Sequence, residues 1–138
     1  MPDSLSDHID SNLHLLTLSA SLTLRYWLNR IKRAGELTAE QAGQDYQSWD
    51  LVDQHRAYLL GLLDSTAALY SWVWPLVLEL IQVMDPVMRA RGYFAEWLPV
   101  LQTLANHMTN ALEAEDFGDP DAVAKLWRCV ALSYIGLG

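Results

Sequence analysis

Apolar residues recur three and four positions apart along almost the whole chain, the pattern of helices that each bury one side. Leu13, Leu16, Ala20, Leu24, Trp27, Leu28 and Ile31 form a first stripe, and Gly35 follows it. The spacing predicts a helix over about residues 10–34, ended by that glycine. Thr38 and Gln41 have capping-box spacing, which predicts a second helix from Ala39. Tyr46 and Trp49 share a face, a break near Ser48–Asp50 is compatible with capping by Ser or Asp, and a third helix is expected over about Leu51–Tyr70.

Pro75 punctuates the next region, and a stripe of Leu76, Leu80, Val83, Met84, Val87 and Met88 runs on to Gly92. Pro86 lies inside that stripe. It predicts either a kink near Val83 or a break with a restart capped by Asp85. From Tyr93 to about Glu115 comes a long helix with Trp97, Leu101, Leu104, Met108 and Leu112 on one face and Pro99 in its first turns. Residues 116–121 (DFGDPD) read as a turn, after which Asp119 or Asp121 can cap a last helix reaching about Ile135. No stretch alternates as a strand does. The expectation is an all-α fold of about six helices whose short connections make neighbours antiparallel.

The chain has 138 residues, 51% hydrophobic and 19% charged, which suits one folded domain over 1–138 and excludes a disordered chain. The apolar run Ala67–Leu78 spans about a dozen residues, short of the roughly 20 that a membrane helix needs. A net charge of -8 opposes binding to a phosphate backbone, so no nucleic-acid partner is expected. Arg30, Lys32 and Arg33 are too few for a lipid-binding patch and fit the negative end of a helix dipole. One cysteine, Cys129, and an acidic opening (MPDSLSDHID) lead to a cytoplasmic expectation.

Candidate chemistry is sparse. His8, His14, His55 and His107 show no metal-ligand spacing. Glu79 and Asp85 lack the Glu-x-x-His partners of a di-iron bundle. The carboxylates of residues 113–121 do not fall at calcium-loop positions. Nothing assembles nucleophile, acid and base, so no catalytic residue, metal or cofactor is expected. The aromatic load stands out, with six Trp and six Tyr. Tyr26, Trp27, Trp72, Trp74, Trp97, Trp127 and Tyr134 are the candidate groove and interface residues. Neighbours on a helix point about 100° apart, so one of Tyr26 and Trp27, and one of Trp72 and Trp74, is free to be exposed if the other is buried. Trp127 is expected in the core.

In the segment AKLWRCVALSYIGLG, Trp127, Val130, Ala131, Tyr134 and Gly138 follow the order large, large, small, tyrosine, glycine. This resembles the first helix of a tetratricopeptide repeat. A second partial match has Gly92, Phe94, Trp97, Leu101 and Leu104, preceded by Ile81, Met84 and Met88. Asp85 stands there where the repeat has a small residue. The G-Y-x-x-E-W variant is similar to helical repeats beside nucleotide-binding switch domains of bacterial STAND-type signalling proteins. The two glycines are 46 residues apart (138 minus 92), against a standard period of about 34, so the hairpins are enlarged.

The resemblance covers about residues 76–138, with 1–75 as divergent helix pairs. It implies a tetratricopeptide-like α-solenoid fragment, with a closed helical bundle as the alternative. It further implies a non-catalytic protein-interaction scaffold, taking a protein or peptide such as a basic or amphipathic helix. Self-association through the terminal helix follows from the unburied face a repeat helix leaves at the end of a stack. The alternative function is small-ligand binding in an aromatic-lined pocket near Trp72, Trp74 and Trp97.

Overall fold

The computed structural model describes the backbone of residues 2–42, 46–114 and 118–138, and the side chains of residues 10–35, 48–114 and 118–138. The described chain is all-α, with six helices and no strand. They are α1 (Pro2–Ala42), α2 (Tyr46–Gln54), α3 (Arg56–Thr66), α4 (Trp74–Ala90), α5 (Phe94–Glu113) and α6 (Pro120–Leu137), with a 3-10 turn at Ser71–Val73.

α1 is one helix of 41 residues where two were expected. A capping box starts a helix only if the chain before it leaves helical geometry. Here the backbone stays helical through Gly35 and across Thr38–Gln41. A glycine inside a helix costs about 1 kcal/mol, which packing can outweigh. Gly35 borders a concavity with Ile31, Trp49, Val52 and Val87, so its turn is held between α2 and α4.

The expected break near Ser48–Asp50 is absent, and α2 and α3 are separated at His55 instead. His55 departs from helical geometry at φ -108° and ψ 17°, yet its amide still reaches Leu51 O at 3.2 Å. The two helices are therefore one bent rod. α3 then stops at Thr66, earlier than expected, and the chain turns through an extended Tyr70. Two side chains brace this corner. Trp74 Nε1 donates to Thr66 O at 3.3 Å. The buried Thr17 hydroxyl donates to Leu13 O and accepts the Tyr70 amide at 3.3 Å, which ties α1 to the corner.

α4 continues through Pro86, so no restart occurs at Asp85. Proline withholds the donor that Gln82 O would take. Both residues are exposed, and water can serve that carbonyl. α4 ends in a Schellman turn. The Tyr93 amide reaches Met88 O at 2.8 Å and the Gly92 amide reaches Arg89 O at 3.2 Å. Gly92 takes the left-handed φ of 76° that this turn requires. α6 starts as expected, with the Asp119 side chain accepting from the Ala122 amide at 3.1 Å and Pro120 in the first turn.

α4 touches each of the other five helices, and α1 covers it together with α2 and α3 on one side. α5 and α6 form an antiparallel hairpin with the most extensive contact among the described helices. Trp127 Nε1 donates to Thr109 Oγ1 at 2.8 Å, and at the other end Gln102 Nε2 donates to the Tyr134 hydroxyl. At Gly136 a β-carbon would lie 2.3 Å from the Phe94 ring, so any larger residue there requires the ring or the end of α6 to shift. The core is built from Leu24, Leu28 and Ile31 of α1, Leu59 and Leu63 of α3, Leu80, Met84 and Met88 of α4, and Trp97, Leu101, Leu104 and Met108 of α5.

Candidate functional site

The seven aromatic candidates do not gather in one groove. Trp27, Trp74 and Trp97 are buried in the core. Tyr26, Trp72, Trp127 and Tyr134 are exposed, and they are spread over α1, the 3-10 turn and α6. The divergence expected of adjacent aromatics holds: Tyr26 faces out over buried Trp27, and Trp72 faces out beside buried Trp74. Trp127 is 38% exposed, which corrects the expectation that it is a core residue. Of the α6 positions that carry the repeat resemblance, Val130 is buried, while Ala131 and Tyr134 face outward with Trp127.

Each buried indole is fixed by its surroundings. Trp97 donates to Asp85 Oδ1 at 2.9 Å, and Arg89 donates to the other oxygen of the same carboxylate at 2.9 Å. Asp85, at the position a repeat gives to a small residue, is thus a buried acceptor with both oxygens engaged. Trp27 lies under a ring of neighbours: His55 at 4.7 Å, Tyr26 at 5.6 Å, Tyr58 at 5.7 Å and the Arg30 guanidinium at 5.0 Å. Trp72 borders a shallow cleft with His14 and Tyr70. Trp74 and Trp97 point into packed interior, so the three residues assigned to a ligand pocket do not share one.

A concavity of about 480 Å³ opens between α4 and the first half of α6. Pro75, Leu78, Ile81 and Leu126 make its apolar surface. Glu79, Asp119 and Asp121 place carboxylates around it, opposed by the Lys125 ammonium. Glu79 also accepts from Lys32 at 2.7 Å, but both side chains are about half exposed, and such a pair contributes little. Sequence reasoning took these acids as solvated or capping groups. Asp119 does cap α6, and the fold adds that all three face a common depression.

Cys129 borders the same groove. Burial pushes its thiol up to about 11, and the Asp85 carboxylate nearby adds to the rise. A thiol held protonated at neutral pH is a poor nucleophile and a poor metal ligand. Among the described residues, no three His, Cys, Asp or Glu side chains group closely enough to hold a metal ion. No helix among them is long and apolar enough to cross a membrane.

The sequence stripe on α1 missed a second apolar face. Leu16, assigned to the core stripe, is 61% exposed. Leu15, Leu18, Leu22 and Tyr26 are exposed as well, on the side of α1 opposite Leu24 and Ile31. The signal was legible as a second set of positions three and four apart, running alongside the first.

No known family model matches the chain, and no match was found among curated proteins or solved structures.

Proposed function

We propose that this protein is a non-catalytic helical scaffold that receives a basic, amphipathic helix of another protein in the groove between α4 and α6. The observation that carries this is the groove's make-up: an apolar floor of Leu78, Ile81 and Leu126 with carboxylates at Glu79, Asp119 and Asp121 around it. A helix docks in such a groove by placing apolar anchors at i, i+3 and i+7 on the floor. Lysines or arginines on its flanks then meet the acidic rim. The net charge of -8 steers such a partner toward the chain before contact. The resemblance to hairpin repeats points the same way, because stacked hairpins present concave surfaces for contact.

The test is a titration with a helical peptide carrying leucines at i, i+3 and i+7 and lysines elsewhere, beside an isomer with glutamates in place of the lysines. Calorimetry should show micromolar binding of the basic peptide, weaker at higher salt, and none of the acidic one. The double variant E79K/D121K should abolish it while keeping the helical circular dichroism. Equal behaviour of the two peptides, or unchanged binding by the variant, overturns the reading.

A further inference from the structure

We infer that the cleft between α1 and the corner leading into α4 binds a trimethylammonium group, held by the rings of His14, Tyr70 and Trp72 and the carboxylate of Asp10. Asp10, Ser11, His14 and Leu15 line the α1 wall, since positions four apart lie one above the other on a helix. Thr17, one turn on from His14, is buried and accepts the Tyr70 amide at 3.3 Å. The Val73 amide in turn donates to Tyr70 O at 3.2 Å. These bonds fix the corner and bring Tyr70 and Trp72 to the cleft's second wall. The His14 ring centre is 5.9 Å from that of Trp72 at an interplanar angle of 52°, and 6.4 Å from that of Tyr70 at 57°. Trp72 is 46% exposed, so nearly half of its surface is free for a ligand. At these spacings one cation can lie within about 6 Å of more than one ring centre, the range in which a ring face attracts it.

Charge and the scarcity of acceptors select the ligand. Asp10 is exposed and forms no ion pair or hydrogen bond among the described residues. No Lys or Arg lines the cleft, and residues 1–24 and 57–88 contain neither. An entering cation therefore meets one uncompensated carboxylate and no competing positive charge from these segments. Apart from Asp10 and Ser11, the lining is aromatic rings and the Leu15 side chain. An ammonium with N–H groups would exchange water for too few acceptors there. A quaternary nitrogen has no N–H to satisfy, and its methyl groups carry the charge onto apolar surface. The cleft shares no residue with the groove between α4 and α6, so the two sites fail or stand separately.

Titration with choline at about pH 8, followed by the indole N–H resonances, tests the inference. The six Trp give six such resonances. Choline at millimolar concentration should shift chiefly one of them, the one missing from Trp72→Phe. Saturation transfer to the choline methyl groups should vanish in Trp72→Ala with unchanged circular dichroism, persist in Trp72→Phe, and weaken roughly threefold in affinity in Asp10→Asn. The uncharged isostere 3,3-dimethylbutan-1-ol keeps the shape without the charge and should bind at least about fivefold more weakly. A glycine-flanked trimethyllysine peptide separates the two sources of the group. Binding roughly tenfold tighter than choline assigns it to a protein side chain, and equal or weaker binding assigns it to a free small molecule. No indole shift up to about 100 mM choline overturns the inference, as does equal binding of the isostere or saturation transfer that survives Trp72→Ala.

Discussion

α5 and α1 are both rich in large apolar residues, yet one is enclosed and the other is half bare. On α5, Trp97, Leu98, Val100, Leu101, Leu104 and Met108 are all buried, because α3, α4 and α6 pack around it. On α1, Leu24, Trp27, Leu28 and Ile31 are buried, but Leu15, Leu16, Leu18, Leu22 and Tyr26 are exposed. The helical contacts of α1, with α2, α3 and α4, lie along one side only. Periodicity states which residues can share a face. Whether that face is covered depends on how many neighbours the fold supplies. A helix with two apolar faces and neighbours on one of them is a place where another molecule has a reason to bind.

The largest expected effect sets the two helices against each other. Trp97→Ala removes a fully buried indole and strips Asp85 of one donor, and it should destabilise the fold by about 3–5 kcal/mol. Leu22→Ala, on the bare face of α1, should cost less than about 0.5 kcal/mol in dilute solution. Urea unfolding of both variants checks this. Similar losses would mean that the α1 face is covered within a single chain. Trp97→Phe sharpens the point: it keeps most of the volume and should cost about 1–2 kcal/mol, chiefly the lost hydrogen bond.

An intermediate effect is expected where α6 closes over α5. Gly136→Ala places a methyl group within 2.3 Å of the Phe94 ring, so the ring or the end of α6 has to move. The cost should be about 1–2 kcal/mol. Phe94→Ala in the same chain should absorb much of it, because the three nearest atoms all belong to that ring. Independent, additive losses in a double-mutant cycle would show that the two residues do not meet.

Much of the architecture was legible before any coordinates. The apolar stripes of α4 and α5, the glycine turn at Gly92 and the Asp119 cap each depend on residues within a turn or two of one another. The one-in, one-out behaviour of Tyr26 and Trp27 follows from helix geometry alone. The errors have a common cause. Thr38–Gln41 has the chemistry of a helix start, but packing around Gly35 keeps the chain helical through it. Trp127 has core character, but α6 has no neighbour on its outer side among the described helices. Asp53 offers locally only its i,i+3 spacing to Arg56, since Arg91 and Tyr93 lie 38 and 40 residues away. Its role becomes visible only once the α4–α5 turn sits against the α2–α3 bend.

That junction gives the smallest effect and the one with a pH signature. Asp53 accepts from Arg56 at 2.6 Å, from the Tyr93 hydroxyl at 2.8 Å and from Arg91. Arg91 also reaches Asp50 at 2.9 Å, and Arg56 reaches Glu96 at 2.7 Å while lying 3.7 Å above the Tyr93 ring. The hydrogen bond from Arg91 is the main reason that the Asp53 carboxyl is held below its ordinary value of 3.8, with the Tyr93 bond next. A carboxylate whose acidity is raised by folding stabilises the fold above its unfolded value and loses that contribution as pH falls through the lowered folded value. Asp53→Asn should therefore cost about 1 kcal/mol at neutral pH, a modest figure because the network is partly open to water. The gap between wild type and variant should stay constant from pH 7 down to about 5 and shrink below about 4. Thermal unfolding of the two proteins across that range measures it. A gap that persists undiminished at the acidic end would assign the cost to lost packing at the α4–α5 turn instead of to the charge.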